Sequence, residues 1–89
     1  MKTQKEHLRS LLAEYFQELT EAGRLTQERM AEFLRVSSRA YGSMERGEYL
    51  ISTLPFIYLL HYLGEAKSLE LLRLIWACIL PLDAQGAEK

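Results

Sequence analysis

Five arginines fall between residues 24 and 49: Arg24, Arg29, Arg35, Arg39 and Arg46. A guanidinium is permanently charged and offers a planar fork of donors. That fork suits carboxylates, phosphates and the O6/N7 edge of guanine. Around the arginines stand Gln27, Ser37, Ser38 and Ser43. Their short polar groups can donate to phosphates or base edges. Arg39 is the best candidate for reading a base directly. The competing chemistry is a surface arginine paired to a helix carboxylate, with the serines solvated. Glu28, Glu32, Glu45 and Glu48 lie in the same stretch and leave an excess of one positive charge there. The whole chain carries −1. Attraction to phosphate therefore depends on placing cations on one face.

Other chemistries find little support. His7 and His61 are far apart, and no Cys/His spacing of the zinc type exists. Cys78 is the single cysteine and sits in an apolar stretch without a neighbouring histidine. It is expected to be an inert thiol, in keeping with a reducing, cytoplasmic setting. No glycine-rich phosphate loop is present. No enzyme, cofactor, metal or small-molecule site is expected. Residues 1–9 lack an apolar segment of the secretory type. The apolar run from Leu69 to Leu82 is broken by Glu70 and Arg73. It is also shorter than the ~20 residues of a membrane span, so no membrane partner is expected.

The elements that must position these residues are helical. No sustained alternation and no Asn-Gly or Asp-Gly turn marks a strand. Leu8, Leu11, Leu12, Tyr15, Phe16 and Leu19 recur at three and four, predicting a first helix from about Thr3 to Ala22. Gly23 is expected to stop it in a left-handed conformation. Thr26 caps a second helix through Leu34, with Met30, Phe33 and Leu34 pointing inward. Ser37 caps a third to about Arg46, with Gly47 just beyond its end. Thr53 caps a fourth, with Pro55 in its first turn and Gly64 at its end. His61 on that helix is expected to be partly buried, and the tyrosines and Trp76 to belong to the core. A fifth helix spans about Ala66 to Leu80 and stops at Pro81, leaving 83–89 as a frayed tail. Residues 1–82 thus form one domain.

The fifth helix is apolar nearly all round. Leu69, Leu72, Trp76 and Ile79 form one stripe, and Leu71, Leu74, Ile75 and Cys78 form another. Such a helix is buried on more than one side. A chain of 89 residues has little protein to spare for both. A homodimer covering Leu71, Leu74, Ile75 and Cys78 is therefore expected. The alternative is a monomer in which the first helix covers the extra face.

An ordered set of residues carries a family resemblance. Thr26-Gln27, Met30-Ala31, Leu34, Val36-Ser37 and Glu45-Arg46-Gly47, followed by the helix from Leu54 to Gly64, resemble the repressor-type (Cro/repressor-like, XRE) helix-turn-helix family over about residues 8–64. The resemblance implies an all-α, five-helix domain of the lambda-repressor-like type. It implies a sequence-specific, double-stranded DNA-binding regulator, a repressor acting as a dimer on a near-palindrome. Ser37, Ser38, Arg39, Gly42 and Ser43 would then face the groove, with Gln27 and Arg46 on the phosphates. Several positions depart from the family pattern. Arg35 stands where the turn usually has glycine, and Tyr41 where a branched aliphatic is usual. Gly42 lies inside the recognition helix. Glu48 replaces a common basic residue. Thr20 stands where an arginine often pairs with Glu45, which then needs another partner, the backbone or Arg24. These departures and the charge of −1 also admit a second function. That is a protein-interaction module, or antitoxin-like subunit, which keeps the fold without strong DNA binding.

Overall fold

The computed structural model describes residues 3–23 and 25–87, with side-chain surroundings as far as residue 81. Four helices follow one another: α1 (Gln4–Gly23), α2 (Gln27–Leu34), α3 (Ser38–Glu45) and α4 (Thr53–Ala87). No strand occurs among the described residues. α1 packs on α3 and α4, and α2 packs on the same two. The core sits between them, built from Leu12 and Phe16, Met30, Ala31 and Leu34, Tyr41 and Met44, and Leu59 and Leu71. Each helix contributes to this one core. Burying a leucine of this set stabilises the fold by about 1.5–3 kcal/mol.

Local signals explain where the helices begin. Thr3 and Glu6 close a reciprocal capping box. Thr3 N–H donates to Glu6 Oε1 at 2.8 Å, and Glu6 N–H to Thr3 Oγ1 at 3.1 Å. α4 starts at Thr53 itself, the residue expected to cap it. The Phe56 N–H donates to the Ser52 carbonyl, so Ser52, not Thr53, holds the cap position.

Helix ends depart further from expectation. Gly23 is the last residue of α1 and is not left-handed; the positive-φ glycines are Gly47 and Gly64. A bond from Leu25 N–H to the Thr20 carbonyl, 3.1 Å, closes α1 instead. α4 is broken at Gly64, whose φ of 83° and ψ of 174° are non-helical, so that two helical segments meet at a kink where the expected fourth helix ends. Ser68 Oγ bridges the break by donating to the Leu60 carbonyl at 2.9 Å. Pro81 does not stop α4, which continues to Ala87. A proline's fixed φ is helical, so it forfeits one hydrogen bond and bends the helix. Residues 88 and 89 lie outside the described part.

The second half of α4 is rotated relative to the expected interface. Leu71 is fully buried in the chain's own core, and Ile75 packs against that core. Cys78 is half-buried. Of the four expected dimer residues, only Leu74 is exposed. The reason is that α1 takes the Leu71 side of the helix. Leu69, Trp76 and Leu80 are left outside, at 52%, 52% and 56% exposure. Trp76 and Tyr49 are therefore not core residues, and His61 is exposed rather than partly buried. Leu54, Ile57 and Phe33 also lie at the surface. Phe33 does not point inward, and its ring rests on Tyr62 at 4.6 Å.

Candidate nucleic-acid interface

α2, a three-residue turn and α3 form the element that presents the candidate residues. Thr26 caps α2 from an extended conformation, and its side chain accepts from Arg29 N–H at 3.1 Å. At the other end Arg35 adopts the left-handed conformation, φ 62° and ψ 39°. Its N–H donates to the Glu32 carbonyl, and Val36 N–H to the Ala31 carbonyl at 3.0 Å. Arginine therefore takes the conformation that glycine usually supplies. That costs about 1–2 kcal/mol. The helix-capping bonds and the Arg35 guanidinium, 5.2 Å above the Tyr58 ring, offset this cost. Val36 packs against the core. Ser37 then caps α3, accepting from Ala40 N–H at 3.0 Å.

The first turn of α3 points away from the protein. Tyr41 and Met44 face the core, so Ser38 and Arg39 are exposed on the opposite side. Neither side chain has a hydrogen bond or ion pair among the described residues. The amide end of α3 points the same way and favours an anion or acceptor. Ser43 is half-buried. Gly42, expected to face a groove, is buried. The Arg46 side chain lies across it, and a Cβ at Gly42 would stand 3.2 Å from Arg46 Nη1. The glycine makes room for that arginine.

Glu45 fastens the far end of α3. Its carboxylate accepts from Thr20 Oγ1 at 2.9 Å and from Gln27 Nε2 at 2.7 Å. Its backbone carbonyl accepts from Gln17 Nε2 at 2.7 Å. α1 and α2 thus both donate to one residue of α3. Gln27, expected on a phosphate, is engaged with Glu45. Arg24, considered as a partner for Glu45, lies outside the described residues. The Tyr41 hydroxyl joins the network, 2.9 Å from Thr20 Oγ1 and 3.3 Å from the Phe16 carbonyl it donates to. Its ring meets Phe16 edge-on at 5.6 Å. Burial, and then the neighbouring Glu45 carboxylate, push its pKa up to about 12 against the opposing Thr20 bond. No buried side-chain polar atom among the described residues lacks a partner.

Arg46 is also engaged. Its Nε donates to Glu48 Oε2 at 3.1 Å and its Nη2 to Glu48 Oε1 at 3.3 Å. Gly47, with φ 75°, turns the chain so that residues two apart meet. Both partners are more than half exposed, so the pair is worth only about 0–1 kcal/mol and yields readily to a stronger anion. Arg29 pairs with Glu32 beside Phe33; it and Arg35 lie over aromatic rings and remain exposed to solvent. Arg39 remains the one unpaired cation of α2 and α3 among the described residues. No set of three metal-ligating side chains occurs among them, and no helix there is long and apolar enough to cross a membrane. The chain matches no family model, no curated protein and no solved structure.

Proposed function

We propose that the chain is a sequence-specific, double-stranded DNA-binding regulator of the repressor helix-turn-helix type. It acts by binding and not by catalysis. The observation that carries this reading is Arg39, exposed and unpartnered on the first turn of a capped, outward-facing helix. Ser37 and Ser38 stand beside it to donate to phosphate or base. The Arg39 fork holds O6 and N7 of one guanine. Arg46 moves from Glu48 to a phosphate when one is offered. The resemblance of residues 8–64 to the repressor family supports the same reading. In the cytoplasm such a chain represses by occupying a near-palindromic site as a dimer. Its two α3 helices then lie ~34 Å apart.

Selection from random double-stranded DNA tests the reading. An enriched motif is expected for the purified chain. Arg39→Ala should weaken binding by about 1–3 kcal/mol and relax one position of that motif. No enriched motif from the native chain refutes it.

A second reading is a protein-interaction subunit that keeps the fold and has little use for DNA. The Arg46–Glu48 and Gln27–Glu45 contacts favour it, because the first neutralises Arg46 and the second occupies the glutamine expected on a phosphate. Binding to DNA that shows no dependence on salt, or no binding at all, selects this second reading.

A further inference from the structure

The exposed face of the second half of α4 carries a pattern that the DNA reading does not use. Leu69, Arg73, Trp76 and Leu80 are spaced by four, three and four residues, and all four are exposed. Ala66, three residues earlier, is exposed as well. This is the spacing of a coiled-coil seam, in which a narrow stripe of every third and fourth residue meets a second helix. Leu71 and Ile75, on the other side of the helix, are committed to the chain's own core. The seam is therefore a surface left over after folding.

The residues on the seam say what fits it. Two copies aligned parallel would set Arg73 against the partner's Arg73, two like charges in an apolar stripe. Two copies aligned antiparallel match layer by layer. Leu69 meets the partner's Leu80, Arg73 meets the partner's Trp76, and the two-fold axis repeats both contacts. An arginine over an indole face is a favourable cation–π pair, and tryptophan is the best ring for it. The stripe is thus complementary to itself reversed and poorly complementary to itself in parallel. We propose that a second copy of this chain covers this face, its helix running antiparallel with Arg73 stacked on the partner's Trp76.

The size of the seam sets the strength. Two stripes of this length cover on the order of 1,000 Å², the lower limit of a specific interface. Dissociation in the micromolar range is expected. The proposal does not rest on DNA binding, and its test contains no DNA.

Sedimentation velocity of the full chain provides that test. Its mass should rise from 10.3 kDa toward twice that value between about 1 µM and about 300 µM, the range that brackets a micromolar equilibrium. Leu69→Lys and Trp76→Ala should each remain monomeric at the top of the range while keeping the native helical circular dichroism. Orientation is read by oxidation in a Cys78→Ala background. Leu69→Cys and Leu80→Cys should each cross-link poorly alone and efficiently when mixed. A native chain that stays monomeric throughout overturns the proposal. So does a dimer that survives both seam variants, which would place the contact elsewhere, at Leu54 and Ile57. Cross-linking of either cysteine variant alone that mixing does not increase overturns the antiparallel arrangement.

Discussion

Replacing Tyr41 by phenylalanine tests the polar network inside α1, α2 and α3. The ring sits fully buried against Phe16, and Tyr41→Phe preserves it. What disappears is the hydroxyl at 2.9 Å from Thr20 Oγ1. Thr20 has one proton, and the Glu45 carboxylate at 2.9 Å is its strongest acceptor. The one Tyr41 proton then goes to Thr20 Oγ1 or to the Phe16 carbonyl 3.3 Å away, so the variant loses one buried bond either way. At pH 7 the loss should be about 1 kcal/mol. The cost changes sign in alkali. The hydroxyl titrates at 10.0 when unfolded and at about 12 when folded. Between those values the folded state holds the proton and the unfolded state does not. The stabilisation is complete below pH 10 and falls as pH rises through 12. The native chain should therefore lose on the order of 2–3 kcal/mol that the variant keeps. The two stabilities should cross near pH ~11. Urea unfolding followed by circular dichroism from neutral to alkaline pH measures the difference. Other titrating groups cancel, because both chains share them. A native-minus-variant difference that stays constant across that range refutes the burial and the network together.

Two other substitutions probe the candidate interface. Glu48→Gln releases Arg46 and removes a carboxylate from the side proposed to face DNA. Folding should change by less than about 0.5 kcal/mol, while DNA affinity rises because Arg46 no longer has to leave a carboxylate to reach a phosphate; an unchanged affinity means that Arg46 contacts no phosphate. Gly42→Ala should stabilise the chain by about 0.5–1 kcal/mol through helix propensity. Its Cβ meets only the flexible end of Arg46, and a lowered urea midpoint would show that the arginine cannot give way.

The sequence was most readable where a local rule acts alone. Thr26 and Ser37 cap as their residue types predict, and Gly47 takes the left-handed place just past α3. Met30, Ala31, Leu34, Tyr41 and Met44 turn inward. An all-apolar helix is different, because it carries no contrast to show which side faces in. Leu71 was therefore expected on the outside and Trp76 on the inside, the reverse of what α1 imposes. The candidate site shows the same limit. Residues two apart do not normally face each other on a helix, so the Arg46–Glu48 pair is visible only once Gly47 is known to turn. Gln27 and Glu45 are eighteen residues apart, and nothing local joins them. Thr20 and Tyr41 were both recognisable as unusual. Their compensation for one another, hydroxyl to hydroxyl, needed the packed helices.

The attachment of α3 is uneven along its length. Glu45 receives donors from α1 and α2 at one end, whereas the Ser38 and Arg39 side chains at the other make no hydrogen bond or ion pair with any described residue. Anchoring and display are assigned to different residues. A lineage could exchange positions 38 and 39 freely, trying one target after another, without loosening the frame that aims them. The reverse holds at Thr20, Gln27 and Glu45, where a change would mis-aim whatever tip the helix carries. Specificity in such a chain can drift quickly while its architecture stays put.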